Sequence, residues 1–346
     1  MCSSDLLGAT GTPAANALAA RADVVLGVGT RWTDFTTGSR TVFADGVRFV
    51  NLNVARVDAA KHAATMFVAD ARAGLSALTL AVAGHGAPDD WAAFHADSRA
   101  RWYATADAAY ALDHGPLPAQ TAILGAVNEV VGDAGTVVAA AGSLPGQLQM
   151  LYRAKSPRGY HVEYGYSCMG YEIAGALGVK MAAPERPVVA LVGDGSYLMM
   201  SQEIVTAVSE GIALTIVLVD NAGFGSIGAL SESIGSRRFG TSYRARNPAT
   251  GLLDGGPLPV DLAANAASLG ATVFRTETVA EFRAALAKAL GLDAVTVVYV
   301  RTDPTAPAPS SGCWWDVPVA EVSELPETRA ARARYEQAKP AQRPYL

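Results

Sequence analysis

The chain has 346 residues, of which 50% are hydrophobic and 17% charged, and its formal net charge at pH 7 is -5. This length corresponds to about two domains of ordinary size. The apolar fraction excludes a disordered chain or a small disulfide-linked scaffold, and the negative charge excludes a general nucleic-acid binder. The longest apolar runs are far shorter than the ~20 residues of a membrane-spanning helix. We therefore predict a protein with neither nucleic-acid nor membrane partners.

Targeting and cysteine usage favour a cytoplasmic protein. The start of the chain has none of the basic region, apolar stretch and cleavage site of a signal peptide. Its three cysteines, Cys2, Cys168 and Cys313, have no metal-ligand spacing. Because an odd cysteine would remain in any disulfide scheme, a reducing compartment is the simpler interpretation.

Residues 1–112 alternate short β-like runs with alanine-rich helical stretches. Residues 8–13 predict a loop entering a helix, residues 23–29 a buried strand ending in glycines, and residues 47–54 a second strand followed by a helix. Strands separated by helices of this length predict a parallel sheet. Because no strand precedes the first helix, we expect this sheet to lack its first element.

A second α/β segment follows a linker at residues 113–118, where two prolines and a glycine end any helix. We assign residues 119–305 to a second domain and residues 306–346 to a C-terminal tail. The predicted helices lie at 119–131, 171–180, 201–210 and, in the tail, 321–337; the predicted strands lie at 136–141, 188–192, 215–219 and 295–300. The fold class is α/β, with two tandem doubly wound parallel-sheet domains.

The strongest functional signal lies where two buried strands end. Asp194 stands between Gly193 and Gly195 after one strand, and Asn221 follows the next. Ligands of open parallel sheets bind beyond the carboxyl ends of the strands, so we expect the Asp194 carboxylate to face outward beside the Asn221 carbonyl oxygen. With a backbone carbonyl from Gly223, these oxygens suit a hard divalent cation whose shell phosphates complete. Either piece alone is also typical of a plain turn.

This Gly-Asp-Gly motif and the asparagine after the next strand resemble the signature of the thiamine-diphosphate enzymes. The resemblance implies that Asp194, Asn221 and Gly223 bind Mg²⁺, whereas Asp220 departs from the family pattern, which has asparagine there. It implies that Met169 holds the cofactor in a bent conformation, the alternative being core packing. It also implies a set of thiamine-diphosphate-binding positions, namely Gly142, Ser143, Leu144, Met169, Gly195, Ser196, Phe224, Gly225 and Ser226.

The same resemblance extends to the first segment, which is similar to the central domain of these enzymes. The glycines of residues 27–29 form too short a pattern to predict a nucleotide. The family has an N-terminal pyrimidine-binding domain whose glutamate activates the cofactor. We expect this chain to lack that domain, to retain the metal–diphosphate half of the site, and to turn over substrate negligibly alone. Catalytic residues stay unassigned, since Glu163 and Glu172 match no such role, and we expect Cys168 to be buried rather than nucleophilic.

Four segments, residues 8–40, 164–172, 193–244 and 314–318, resemble one branch of the family. This branch hydrolyses a carbon–carbon bond of a polyhydroxylated cyclic 1,2-dione in inositol breakdown. The resemblance implies that substrate and a homo-oligomer in the full-length form. The serines and arginines after the metal motif suit a polyhydroxylated substrate, although Arg237 and Arg238 also fit a solvated charge pair. The alternatives are an enzyme similar to the acetohydroxyacid synthases and a non-catalytic cofactor-binding subunit.

Overall fold

The computed structural model describes residues 6–344. These residues form two compact units, one comprising residues 6–105, 310–323 and 329–344, the other residues 106–309 and 324–328. Each unit contains one sheet in which every described strand pair is parallel. Two parallel-sheet α/β units confirm the predicted fold class.

The first unit has three strands in the order β1-β2-β3. These are β1 (Val24–Val28), β2 (Arg48–Asn53) and β3 (Thr65–Val68). The helices up to the second sheet are α1 (Pro13–Arg21), α2 (Asp34–Thr37), α3 (Arg56–Ala60), α4 (Ala71–Ala81) and α5 (Asp89–Tyr110), with a 3-10 turn at Lys61–Ala63. The Thr12 hydroxyl accepts a hydrogen bond from the Ala15 N–H, which caps α1 at the predicted place.

The prediction that β1 is buried was wrong, because only Gly27 of its five residues is buried and two are exposed. Val24 and Leu26 are 43% and 44% exposed. The strand lies at an edge of the described sheet, so only its alternate residues, such as Val25, face the aromatic cluster around Trp32. A Cβ at Gly27 would lie 2.5 Å from the Trp32 ring, so the absence of a side chain at Gly27 lets this ring pack against β1.

The second unit has six strands in the order β5-β4-β6-β7-β9-β8. They are β4 (Thr136–Ala139), β5 (Tyr160–Val162), β6 (Val188–Gly193), β7 (Thr215–Asp220), β8 (Thr272–Thr276) and β9 (Thr296–Arg301). The chain runs from β4 outward to β5 and then returns to β6 on the other side of β4. The strand order therefore reverses between β4 and β6, and a crevice at such a point is where doubly wound sheets bind ligands.

Helices connect these strands. They are α6 (Gln120–Val131), α7 (Ser143–Leu151), α8 (Tyr171–Ala182), α9 (Asp194–Met199), α10 (Glu203–Ser209), α11 (Gly225–Ser233), α12 (Leu262–Ser268) and α13 (Val279–Leu290); α14 (Pro326–Ala338) and a 3-10 turn at Lys339–Ala341 follow the last strand. The helix expected at 201–210 begins at Glu203, and the helix expected at 321–337 begins at Pro326, since proline favours the first helical turn. Among residues 6–344, no helix is both long and apolar enough to cross a lipid bilayer.

Candidate functional site

The site begins at the carboxyl ends of β6 and β7. In the register of this parallel pair Gly193 lies opposite Val219, so Asp194, the residue after β6, lies level with Asp220, the last residue of β7. Both strands are buried along almost their whole length, because valine, leucine and isoleucine fill the two faces of the sheet. The two loops that follow therefore start side by side from a rigid edge.

The Asp194 side chain is buried, with 2% of the residue exposed. One carboxylate oxygen accepts a hydrogen bond from the Gly195 N–H at 2.9 Å, and the other accepts one from the Gly223 N–H at 2.9 Å. The expectation of an outward-facing carboxylate was wrong, because α9 starts at Asp194 and turns the side chain toward the neighbouring loop. The carboxylate thus ties the loop after β7 to the end of β6.

Two carboxylates share this edge. Burial raises the pKa of Asp194 to about 7, and the nearby Asp220 carboxylate also raises it, whereas the Gly223 N–H lowers it. A raised pKa means that the folded chain disfavours the ionised form of Asp194 in the absence of a counterion. A divalent cation at this edge would supply that counterion.

Asn221 carries the clearest sign of a missing partner. Its side-chain oxygen is buried and accepts no hydrogen bond from any described residue. A buried acceptor without a donor is costly, so native structures pair such atoms with protein, water or a ligand. Glycine is required by sterics at Gly223, where a Cβ would lie 2.2 Å from the Thr241 carbonyl oxygen, and a Cβ at Gly225 would lie 3.0 Å from the Asn221 amide nitrogen.

Asp220 shapes the turn that carries Asn221. One of its carboxylate oxygens accepts a hydrogen bond from the Ala222 N–H at 2.9 Å, and the other accepts one from the Tyr299 hydroxyl at 2.6 Å. Ala222 has a left-handed backbone (φ 59°), which an Asx-type turn of this kind stabilises. The residue that departs from the family pattern therefore has a structural task beside the candidate metal ligands.

The available donors fit a hard cation held partly by phosphate. No group of three or more His, Cys, Asp or Glu side chains that could hold a metal occurs in residues 6–344. The candidate ligands are instead one carboxylate, one amide oxygen and the backbone carbonyl of Gly223. Mg²⁺ commonly takes one or two protein carboxylates and completes its octahedron with water and phosphate oxygens, so this set fits Mg²⁺ with a diphosphate.

The structure places several expected cofactor positions around Gly195. A Cβ there would lie 3.1 Å from the Met169 methyl group and 3.0 Å from the Phe224 ring, so both side chains converge on this glycine. Leu144 lies close to Gly193, at 3.8 Å from the corresponding Cβ position. The half-buried Met169 is thus packed beside the candidate metal edge.

The remaining expected positions lie at helix starts. Gly142 has φ 95° and precedes α7, whose first residue Ser143 donates its hydroxyl to the Gln120 side chain at 3.1 Å. Gly225 and Ser226 begin α11, and the Ser196 residue of α9 is buried. The first N–H groups of an α-helix have no partner within the helix and favour anions.

The sequence predicts two things about Cys168, that it is buried and that it is not a nucleophile. Cys168 is exposed, so the expectation that it is buried was wrong; it lies in a loop ahead of α8 that leaves its thiol at the surface. Slight desolvation of the thiol and the neighbouring Glu163 carboxylate raise the pKa of Cys168, which disfavours a nucleophilic thiolate. Cys313 is also free, and Cys2 lies outside the described residues.

Arg237 and Arg238 form ion pairs at the surface, with Glu327 at 3.0 Å and Glu232 at 2.8 Å. The sequence did not predict three residues that the structure places near the metal motif, namely Glu172, Tyr299 and Tyr243. The Tyr243 hydroxyl, like the Asn221 oxygen, is a buried polar atom without a hydrogen-bond partner in the described part of the chain. For Glu172, the one sequence signal was the presence of a glutamate in the small-residue stretch that forms α8.

Family comparison agrees with this geometry. Residues 140–300 match the model of the C-terminal TPP binding domain of thiamine pyrophosphate enzymes, and residues 2–78 match that of their central domain. The chain belongs to the thiamine pyrophosphate enzymes.

Several curated relatives share one name, 3D-(3,5/4)-trihydroxycyclohexane-1,2-dione hydrolase. The protein of this name from Geobacillus thermodenitrificans (strain NG80-2) is 39% identical over 353 residues, and one from Bacillus anthracis (strain CDC 684 / NRRL 3495) is 36% identical over 350. A protein of the same name from Bacillus cereus (strain AH820) is 37% identical over 350 residues. Each match covers 94% of this chain but 54% of the relative, so the chain spans about half the length of the proteins it matches.

Proposed function

We propose that this chain binds the diphosphate of thiamine diphosphate through Mg²⁺, as part of an enzyme that hydrolyses a carbon–carbon bond of a polyhydroxylated cyclic 1,2-dione. The observation that carries the proposal is the buried, unpartnered Asn221 oxygen on the same sheet edge as the buried Asp194 carboxylate. The family membership and the shared name of the relatives support the cofactor and the substrate class.

In this proposal each part of the edge has one task. Asp194, Asn221 and the Gly223 carbonyl hold Mg²⁺, and the phosphate oxygens complete its shell. The free N–H groups at the starts of α7 and α11 receive the diphosphate. Met169 and Phe224 pack over Gly195 and exclude water from the site. When bound, thiamine diphosphate supplies the nucleophilic carbon and the electron sink that cleavage of a carbon–carbon bond needs.

Calorimetry of thiamine diphosphate binding tests the metal site. We expect the 346-residue chain to bind the cofactor with Mg²⁺ and to lose this binding in the Asp194→Ala variant. Asp261→Ala is the matched control, because Asp261 is an exposed carboxylate that caps α12 by accepting the Ala264 N–H at 2.9 Å. Equal cofactor affinity in the wild type and Asp194→Ala would show that the metal assignment is wrong.

The substrate is tested by comparing the cyclic dione with pyruvate, using the chain fused to the uncovered half of the Geobacillus relative. Ring opening of the dione without turnover of pyruvate supports the proposal. Turnover of pyruvate without ring opening favours an enzyme similar to the acetohydroxyacid synthases. If neither substrate is turned over, a non-catalytic cofactor-binding subunit is favoured. An open cavity of about 330 Å³, lined by Arg238, Ser242 and Arg244 among others, offers hydrogen-bonding groups for a hydroxylated ring. It adjoins the metal edge through the bridge between Gly223 and Ser242.

The chain alone should turn over little substrate, because none of its residues is assigned to activate the cofactor. Ring cleavage by the isolated chain at an ordinary enzymic rate would contradict this part of the proposal. We further propose that the full-length form is a cytoplasmic homo-oligomer, which light scattering and fractionation of cells test.

A further inference from the structure

The segment that carries Met169, residues 166–170, has an unusual backbone. Ser167 has φ 54° and Gly170 has φ 94°, so two of its five residues are left-handed. A Cβ at Gly170 would lie 2.4 Å from the Met200 side chain, which makes glycine necessary at that position. A non-glycine residue in this region persists only where its surroundings fix it.

A carboxylate fixes the segment at its N-terminal side. Glu163 accepts the Tyr166 N–H at 3.0 Å with one oxygen and the Cys168 N–H at 2.7 Å with the other. These hydrogen bonds hold the Glu163 pKa below its usual value, against a smaller desolvation that raises it. Glu163 thus binds the backbone immediately before Met169.

A second carboxylate fixes the other side from within the protein. Glu172, 1% exposed, lies in the first turn of α8. One of its oxygens accepts the Gly170 N–H at 3.0 Å, and the other accepts the Ala141 N–H at 3.4 Å. Burial raises the pKa of Glu172, whereas its own backbone N–H, the neighbouring Ser196 hydroxyl and the two N–H groups of Ala141 and Gly170 oppose that rise.

Each of these partners belongs to a different candidate cofactor segment. Ala141 precedes Gly142 at the start of α7, Gly170 follows Met169, and Ser196 follows the Gly-Asp-Gly motif. One buried carboxyl group therefore binds both the loop after β4 and the segment in front of α8, and it lies beside Ser196 in the segment after β6.

We propose that Glu172 is a positioning residue that holds these three segments in register, and that Glu163 and Glu172 together fix Met169 against Gly195. The inference rests on the proposed binding of thiamine diphosphate. A carboxylate suits the task because both of its oxygens accept hydrogen bonds, whereas a glutamine offers one acceptor and one donor. In Glu172→Gln, the N–H of either Ala141 or Gly170 would point at the NH2 group of the glutamine, which is a donor and cannot accept a hydrogen bond.

Three isosteric variants test the inference on the 346-residue chain: Glu172→Gln, Glu163→Gln and the control Glu281→Gln. Glu281 also accepts a backbone N–H, from Glu277 at 2.9 Å, but it lies on α13. We measure the Kd of thiamine diphosphate at saturating Mg²⁺ by calorimetry, the near-ultraviolet circular dichroism of the bound cofactor, Mn²⁺ affinity without cofactor, and the Tm.

We expect Glu172→Gln to weaken cofactor binding by about tenfold, equivalent to ~1.4 kcal/mol, and to change the dichroism of the bound cofactor. Glu163→Gln should weaken it by about two- to fivefold, since its bonds are at the surface. Glu281→Gln should match the wild type, and Mn²⁺ affinity should not change in any variant, because the metal ligands are untouched.

A lower Tm in Glu172→Gln with wild-type cofactor affinity and dichroism would overturn the inference, because a merely structural role produces that result. If Glu172→Gln does not fold, Glu172→Asp and Glu163→Gln decide by the same readouts, since aspartate keeps both acceptors on a shorter side chain. Failure of the wild-type chain to bind the cofactor with Mg²⁺ would instead refute the proposed function.

Discussion

Replacing Asn221 by alanine should stabilise the metal-free chain, which is an unusual outcome for removal of a candidate ligand. The Asn221 oxygen is buried without a donor in the described residues, and an unsatisfied buried acceptor costs about 1–3 kcal/mol of stability. Truncation to alanine also removes the side-chain amide that packs beside Gly225, 3.0 Å from where a Cβ of that residue would lie. We expect a net gain of about 1 kcal/mol in the free energy of unfolding, or about 2–4 °C in Tm for a unit of this size.

Asn265→Ala is the matched control, with the opposite sign. The Asn265 oxygen accepts a hydrogen bond from the Tyr197 hydroxyl at 2.8 Å. Its removal should cost about 1 kcal/mol, the typical net contribution of one hydrogen bond. Asn265 lies on α12, so its loss should leave the response to Mg²⁺ and cofactor unchanged.

Urea unfolding with and without ligands measures both effects. A ligand at about 100 times its Kd stabilises the native state by about 2.7 kcal/mol. The wild type should gain this with Mg²⁺ and thiamine diphosphate, whereas Asn221→Ala should gain much less. The order of the two stabilities therefore reverses between the metal-free and the loaded state. If Asn221→Ala instead loses stability without metal, as Asn265→Ala does, the Asn221 oxygen is satisfied and the reasoning fails.

Three further predictions concern the same edge. Because the Asp194 pKa is raised from 3.8 to about 7, the folded metal-free chain binds more protons than the unfolded chain between those values, so its stability falls as pH rises through them. Mg²⁺ affinity, measured by calorimetry, should fall below about pH 7, and a flat profile would contradict the assignment. Gly223→Ala should cost about 1–3 kcal/mol in urea unfolding, since its Cβ would meet the Thr241 oxygen at 2.2 Å. Gly178→Ala, with nothing within 4 Å, should gain about 0.5–1 kcal/mol. Asp220→Asn keeps the acceptor for the Ala222 N–H but loses the charge, so it should stabilise the metal-free chain and weaken Mn²⁺ binding by about tenfold in titrations; unchanged Mn²⁺ affinity would refute this.

The sheet and the shared edge at the ends of β6 and β7 were predictable because their signals are local. Continuous runs of β-branched residues and leucine mark β6 and β7, and parallel neighbours necessarily present their carboxyl ends at the same edge. The residues immediately after each strand, Asp194 and Asn221, could therefore be placed together without knowing the rest of the packing. Family resemblance added the cofactor and the particular positions expected to contact it.

The remaining features depend on contacts between distant segments. Glu172 reads as an ordinary polar residue early in a helix, and its role follows from backbone N–H groups contributed by segments that fold against α8. Cys168 is exposed in a loop whose preceding residue, Ser167, has a left-handed backbone that no propensity predicts. The exposure of Val24 and Leu26 depends on the position of β1 in the sheet. Propensity and spacing predict elements; they do not predict which buried group joins three loops.

The charges at the edge also explain why cation and cofactor should bind together. Asp194 and Asp220 put two carboxylates beside each other, so a free diphosphate would approach like charges. A free Mg²⁺ would neutralise them but find only three protein oxygens, half of the octahedron it requires. Each ligand therefore supplies what the other lacks. Because such coupling is reciprocal, Mg²⁺ should raise the affinity for thiamine diphosphate by the same factor as the cofactor raises the affinity for Mg²⁺.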